Sequence, residues 1–250
     1  MTEPLRELLP DRQAIAQVRE RKREATQALL GDTIRLGDDQ WQEPSRLAGW
    51  TRAHVATHVA RNAEAFQRAV EALLAGRPRM LYSSRSRADE DIEVGSRRTG
   101  LDLQIDLDTT AGQLNAAFDG LEASGIMTPT PITERLRVPP QWWVVARLSE
   151  VVLHHIDLAC GLEIERIDLQ LARWLLGWEL VRAAGDQQVP PLDIIAGSGI
   201  RGRVGPLDRK SLGTVSGSDA DLVGWLSGRG DKRRLAGAPL ATLPVKLPSH

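Results

Sequence analysis

Apolar side chains recur at helical spacing through the first two thirds of the chain. Residues 11–31 place apolar positions three and four apart among charged ones, which predicts an amphipathic helix. A second helix is predicted to begin at the N-cap Thr51, where Trp50 and Val55 are spaced as a hydrophobic staple, and to end at Gly76. Both patterns indicate helices that bury one face against a core.

The next part of the chain predicts a long connection and two further helices. Residues 77–104 are polar and rich in Arg and Ser, which is typical of a connection that is either disordered or functional, such as a lid. A third helix is predicted over residues 108–124. The fourth, over residues 141–160, follows two prolines that suit a first turn and is apolar on nearly every side. Such a helix is a central one, so its polar side chains are expected to be buried and to need partners.

The pattern changes near residue 165. One more amphipathic helix is predicted over residues 167–185, and the short alternating segments after it indicate strands joined as hairpins by Gly and Pro turns. The predicted short elements are strands at 193–195, 200–204 and 212–216, a helix at 218–228, and one or two C-terminal strands. We therefore predict an α+β fold, with a helical bundle over residues 1–165 and a small α/β domain over residues 166–250.

Composition and charge exclude several classes of function. The 250 residues are 42% apolar and 26% charged, with a formal net charge of −1, so the chain lacks the basic character expected of a nucleic-acid or membrane-surface protein. No run of about 18 apolar residues occurs, and the first residues lack the apolar region of an export signal. Cys160 is the single cysteine, which excludes an internal disulfide. We expect a cytoplasmic protein that binds neither nucleic acid nor membrane.

Two short segments hold four of the five histidines. His54 and His58 belong to the second predicted helix, and His154 belongs to the fourth, four residues after Glu150. Residues four apart lie on one face of a helix, so Glu150 and His154 can face one point, where His58 from another helix completes a set of three ligands. Three nitrogen and oxygen ligands leave tetrahedral Zn²⁺ with one open position, as in catalytic zinc sites.

The same residues also fit a buried polar network without a metal, and the pattern alone does not decide between the two. His155 is turned away from His154 by about 100° around the helix. Asp157 follows one turn after His154 and is expected to orient it. His54 is expected to be solvent exposed in the first turn of its helix, which makes His58 the better ligand, and Asn62 is expected to be a partner of His58.

Several other features are weaker candidates. Cys160 is expected to pack rather than to act as a nucleophile, so any thiol chemistry needs an external thiol. The segment Gly197–Gly202 matches G-x-G-x-x-G but is followed by no predicted helix, so we interpret it as a chance match to the phosphate-binding motif. Arg229 lies among glycines after a short helix, where it either interacts with the helix dipole or binds a substrate carboxylate. His250 is terminal and expected to be disordered.

Three segments together resemble the mycothiol-dependent maleylpyruvate isomerases, a family of the wider DinB-like metalloenzymes. Residues 47–62, LAGWTRAHVATHVARN, resemble the family's first metal segment, and Glu150 with His154 resembles its second. Residues 218–229, SDADLVGWLSGR, resemble the motif of its C-terminal domain. The resemblance implies a DinB-like four-helix bundle followed by the small α/β domain. It also implies zinc on His58, Glu150 and His154, and a functional arginine at Arg229.

The resemblance further implies the reaction and its participants. The expected reaction is the cis-trans isomerisation of maleylpyruvate to fumarylpyruvate, by addition of a thiolate to the double bond, with zinc and mycothiol as cofactors. Zinc would either ionise the thiol or polarise a substrate oxygen. The alternatives are a zinc-dependent thiol transferase that shares every site residue, and a non-catalytic protein that binds a metal or a thiol. We expect a monomer whose partners are a dicarboxylic keto acid and the thiol.

Overall fold

The computed structural model describes residues 11–82 and 85–243. It divides into two compact units, one spanning Arg12–Leu162 and the other containing, among the described residues, Asp11 and residues 163–243. The first unit is mainly helical and the second combines helices with a small sheet, so the fold is α+β. Among the described residues, no helix is both long and apolar enough to cross a membrane. His250 lies outside the described residues.

The first unit is built around four long helices of the described chain. They are α1 (Arg12–Thr33), α3 (Arg52–Leu74), α5 (Gly100–Ser124) and α6 (Trp143–Asp157). Helix α3 packs along α5 and α6, and α1 packs along α6. Nearly every residue of α6 is buried, as its continuous apolar sequence predicts, and a 3₁₀ turn at Pro140–Trp142 leads into it. This central position brings the polar residues of α6 into the interior of the bundle.

The segment predicted as a long connection contains structure that the sequence pattern missed. A helix α4 (Arg85–Gly95) lies within it and packs on α3, and α5 begins at Gly100, earlier than the predicted residue 108. Helix α4 is polar on most sides, with Ile92 buried, because only one face of it meets the bundle. A Cβ on Gly95 would lie 2.5 Å from Cγ2 of Thr57, so the close approach of α4 to α3 requires glycine there.

A short helix and two short strands complete the described part of the first unit. Helix α2 (Asp38–Trp41) lies against the start of α5, where the carboxylate of Asp38 accepts a hydrogen bond from the Gly100 N–H at 2.7 Å. Strands β1 (Thr130–Pro131) and β2 (Arg137–Val138) form a small antiparallel pair in the chain segment between α5 and α6, where no strand is predicted from the sequence. Two residues a strand are too few to show an alternating pattern.

The described part of the second unit holds a three-stranded sheet and two α-helices. Its elements are α7 (Leu169–Ala183), β3 (Leu192–Ala196), β4 (Arg201–Val204), β5 (Thr214–Gly217) and α8 (Asp219–Leu226). Strands β3 and β4 form the predicted hairpin, but β5 pairs with β3 in parallel, so the prediction of a second hairpin is wrong. The connection from β4 to β5 crosses to the other edge of β3, which local spacing does not reveal.

The prediction of C-terminal strands is also wrong for the described residues. Two 3₁₀ turns, Lys232–Arg234 and Ala238–Ala241, occupy this region. A single antiparallel bridge between Ala236 and Ser216 of β5 is the β-type pairing described for this region. Helix α7, predicted over 167–185, packs on α8 and β4, and its tryptophans Trp174 and Trp178 are buried.

Candidate metal centre

Three side chains from two helices meet at one point in the first unit. Helix α3 supplies His58, and α6 supplies Glu150 and His154 one turn apart. Oε2 of Glu150 lies 3.3 Å from Nε2 of His58 and 3.5 Å from Nε2 of His154. One potential ligand atom from each residue lies within 4.8 Å of the other two. The helical spacing predicted this convergence along α6, and the packing of α3 against α6 supplies its third member.

The second ring nitrogen of His154 is held by Asp157. Oδ2 of Asp157, a fully buried side chain, lies 2.9 Å from Nδ1 of His154. Since a carboxylate only accepts, the hydrogen on Nδ1 of His154 is donated to Asp157. Burial by itself would lower the pKa of His154, but its hydrogen bonds to Asp157 and Glu150 and their negative charges raise it. Asp157 thus has the orienting position that its spacing predicts.

The pKa shifts of Glu150 and His58 favour the forms of these side chains that can bind a metal ion. Burial by itself would raise the pKa of Glu150, but hydrogen bonds from His154 and His58 hold it well below its usual range. The pKa of His58 is lowered, first by burial and then by the charge of His154. At neutral pH Glu150 is therefore an ionised carboxylate and His58 a neutral imidazole, which are the forms of these two residues that bind a metal ion.

An aromatic side chain, predicted as one half of a hydrophobic staple, borders the site. The ring centroid of Trp50 lies 5.5 Å from that of His58, at an interplanar angle of 52°, and 6.3 Å from that of His54, nearly parallel to it. The site therefore has one apolar wall beside His58. The position before an N-cap places a side chain beside the first turns of the helix, so this neighbour was open to prediction.

His54 lies one turn from His58 but belongs to a different set of contacts. Its backbone N–H donates to Oγ1 of Thr51, and its ring Nδ1 lies 3.3 Å from the Thr51 backbone N, which forms a capping box. Its Nε2 lies 3.1 Å from Oε2 of Glu93 on α4. The prediction that His54 is solvent exposed is wrong, because the side chain is 16% exposed beneath the helix that the sequence did not reveal.

His155 on α6 and Cys160 in the turn after it are not part of the site. Nε2 of His155 lies 3.0 Å from Oδ2 of Asp32, as the angle between adjacent helical residues predicts. Burial, followed by the charge of Asp32, raises the pKa of Cys160 to about 11. A thiol with that pKa is almost wholly protonated at neutral pH, so Cys160 is a poor nucleophile.

A second polar layer lies one helical turn along from the three residues. Nη1 of Arg147 on α6 donates to Oδ1 of Asn62 on α3 at 2.6 Å, and Nδ2 of Asn62 donates to the hydroxyl of Tyr82 at 3.0 Å. The prediction that Asn62 is a partner of His58 is wrong, because its amide is used by Arg147 and Tyr82. Arg147 was missed, although its position three residues before Glu150 on an apolar helix was a usable signal.

Two sequence candidates lie in the second unit. Arg229 follows α8, and its Nη1 donates to the backbone oxygen of Ser227 at 2.6 Å. The segment Gly197–Gly202 turns from β3 into β4 and not into a helix, so it lacks the context of a dinucleotide site. Within that turn, the backbone N–H and the hydroxyl of Ser198 both donate to the carboxylate of Asp219.

The fold and this site define a helical-bundle protein with a cluster of two histidines and one glutamate. Residues 22–159, which include all three residues, match the family model described as the mycothiol maleylpyruvate isomerase N-terminal domain. The chain belongs to this family. The sequence resemblance to the family is thereby confirmed, and with it the expectation of a DinB-like bundle.

Solved structures resemble the whole chain. A crystal structure of a mycothiol-dependent maleylpyruvate isomerase matches with a TM-score of 0.79 and 23% identity, over 100% of both chains. The crystal structure of a histidine-to-alanine mutant of such an enzyme matches with a TM-score of 0.79 and 22% identity, also over 100% of both chains. At these identities the likeness establishes the fold. No curated protein sequence matches the chain.

Proposed function

We propose that this protein is a zinc- and mycothiol-dependent enzyme that isomerises maleylpyruvate to fumarylpyruvate. The observation that carries the proposal is the convergence of His58, Glu150 and His154, whose potential ligand atoms lie within 4.8 Å of one another. Family membership over residues 22–159 and the full-length likeness to two solved isomerases support the choice of reaction. We further propose that the protein acts in the cytoplasm as a monomer.

The donor set fits zinc. The ion would be held by Nε2 of His58, Nε2 of His154 and a carboxylate oxygen of Glu150, all of them donor types that zinc accepts. When bound, zinc supplies Lewis-acid chemistry that favours the ionised form of a thiol or polarises a substrate oxygen. Because Asp157 holds Nδ1 of His154, Nε2 is the ring nitrogen that would bind the ion. His54 is engaged by Thr51 and Glu93, which supports a site with an open position and argues against a closed structural one.

The reaction requires a temporary loss of the double bond. A thiolate adds to one alkene carbon, and the electron pair of the double bond moves through the conjugated carbonyl group onto its oxygen. The remaining single bond rotates, the carbonyl group re-forms, and the thiolate leaves with its electron pair to give the trans isomer. Nothing is oxidised or reduced, and the thiol is regenerated. The thiol comes from outside the chain, because burial holds Cys160 in its protonated form.

We also propose that Arg229 binds a substrate carboxylate and orients the alkene, since a guanidinium matches a carboxylate with two parallel hydrogen bonds. An Arg229→Ala protein is expected to keep its zinc and to show a KM about 10- to 100-fold higher for maleylpyruvate. Arg229→Lys, which retains charge without the fork, is expected to lie between the two. Unchanged KM in Arg229→Ala would remove this residue from the proposal.

The central test follows maleylpyruvate consumption and product identity with purified protein of known metal content. Turnover to fumarylpyruvate that requires both zinc and mycothiol, that stops on chelation and that returns with added zinc is the expected result. A stable adduct of thiol and substrate would replace the isomerase with a thiol transferase. One zinc per chain without either product would retain the metal centre and reject the substrate.

A further inference from the structure

The interior of the bundle contains a charged residue that the proposed reaction leaves unused. Arg147 is 3% exposed, although arginine is among the residues least often buried. It shares one stripe of α6 with Glu150 and His154, because positions separated by three and seven residues lie on the same helical face. Asn62, which accepts its hydrogen bond, follows His58 by one turn on α3. The guanidinium therefore lies in the layer next to the candidate metal ligands.

Arg147 is held without being neutralised. Its hydrogen-bond partner is the neutral amide of Asn62, and among the residues that the structure describes no carboxylate forms an ion pair with it. Burial lowers the pKa of Arg147 to about 10, and electrostatic interactions with Glu150 and Tyr82 oppose that shift, so the guanidinium is still cationic at neutral pH. An apolar side chain would fill this position at a lower desolvation cost. The positive charge is therefore the property of Arg147 that needs an explanation.

The charge balance of the loaded site supplies one. A divalent ion, the carboxylate of Glu150 and the carboxylate of Asp157 sum to zero. The guanidinium of Arg147 makes the sum positive. In an interior where charges interact through a low effective dielectric constant, that difference governs which fourth ligand the metal accepts.

We infer that Arg147 is a positioning residue that keeps the metal-loaded site net positive, so that its open position favours an anionic ligand such as a thiolate. The inference rests on the metal centre proposed above. It has a distinctive consequence: the same positive charge that attracts the anion repels the incoming metal ion. Removal of the charge should therefore strengthen metal binding while it weakens anion binding.

The test measures both affinities without measuring turnover. Zinc affinity is determined by competition with a chromophoric chelator, and anion affinity by titration of the cobalt(II)-loaded protein with thiocyanate, followed by its visible spectrum. In Arg147→Gln, zinc affinity is expected to rise and thiocyanate affinity to fall, each by about tenfold, as for a unit charge one helical turn away. Arg147→Lys, which keeps the charge, is expected to stay within about threefold of wild type in both.

Two further variants separate charge from folding. Asn62→Asp places a carboxylate against the guanidinium and neutralises it in place, so zinc affinity should again rise and thiocyanate affinity fall. This variant carries the test if Arg147→Gln does not fold. Arg19→Gln is the matched control, because Arg19 is an arginine of the same bundle that is already paired with Asp119 and Glu122. It should change neither affinity.

Other results would overturn the inference. Weaker zinc binding in both Arg147→Gln and Arg147→Lys would assign Arg147 a purely structural role. Zinc and thiocyanate affinities equal to wild type in Arg147→Gln and Asn62→Asp would reject the electrostatic role and leave the metal centre intact. A wild-type protein that takes up neither zinc nor cobalt would reject the metal centre and this inference together. Absence of isomerase activity, by contrast, alters none of these measurements.

Discussion

Two polar clusters lie inside the same bundle, and they differ in whether electron-pair donors converge on one point. The metal cluster consists of His58, Glu150 and His154. The lysine cluster consists of Lys22 on α1, which is 2% exposed, with Asn115 and Phe118 on α5. The ammonium group of Lys22 donates to Oδ1 of Asn115 and lies 5.7 Å from the centroid of the Phe118 ring.

The comparison shows that burial of polar groups does not by itself make a site. In the metal cluster, electron-pair donors converge, and Asp157 occupies the nitrogen of His154 that faces away from the point of convergence. In the lysine cluster, a donor meets an amide oxygen and an aromatic face, and no acceptors converge. Burial, then the charge of Arg147, lowers the pKa of Lys22 to about 7. The lysine cluster thus costs stability, whereas the metal cluster is arranged to bind an ion.

The largest effect is expected from a substitution that removes one of the three candidate ligands. Glu150→Gln preserves shape but removes the negative charge that a divalent ion requires, so we expect loss of zinc and at least about a thousandfold loss of isomerase activity. Metal analysis and turnover measure the two. Lys22→Met should retain its zinc, because the lysine cluster offers no ligands. Full zinc content in Glu150→Gln would contradict the ligand assignment.

A smaller effect is expected from the residue that orients His154. Asp157→Asn keeps an acceptor near Nδ1 but removes the charge, so zinc affinity should fall by about 10- to 100-fold, measured by chelator competition. Asp32→Asn is the matched control, because Asp32 contacts His155, which faces away from the site. Equal losses of zinc affinity in the two variants would show that removing any carboxylate hydrogen-bonded to a histidine of α6 weakens zinc binding, and that Asp157 has no particular role.

The smallest effect concerns the lysine cluster and depends on pH. The folded-state pKa of Lys22 is about 7, against an ordinary value of 10.5, so between these pH values the unfolded chain binds the extra proton. The penalty is complete below pH 7 and disappears as the pH rises toward 10.5, so wild-type stability should increase over that window. Lys22→Met should raise the free energy of unfolding at pH 7 by about 1–2 kcal/mol and flatten the rise.

Denaturant unfolding of metal-free protein at pH 7 and pH 9 measures this difference. Lys210→Met, at an exposed position of the second unit, is the control and should leave the pH dependence as in wild type. A wild-type protein whose stability does not change between the two pH values would show that Lys22 is not held in its folded environment as a destabilising charge.

Much of the fold follows from local periodicity. The long helices α1, α3 and α6 were predicted close to their observed bounds. The apolar residues of α1 and α3 recur with the helical period and form one buried face, and α6 is apolar on nearly every side, as a central helix is. Helix α4 was missed because it buries little, and polar composition then gives no periodic signal. The parallel pairing of β5 was missed because alternation indicates a strand but not its neighbour.

The candidate site also has features that follow from the sequence and features that depend on tertiary packing. The sequence by itself determined that Glu150 and His154 share a face, and that Asp157 follows one turn later, because the geometry of a single helix depends only on spacing. Tertiary structure decided which side chains meet across helices. The register of α3 against α6 brings His58 to Glu150, gives Asn62 to Arg147, and leaves His54 beneath α4. Contacts between helices depend on packing and axial position, which the spacing along one chain segment does not contain.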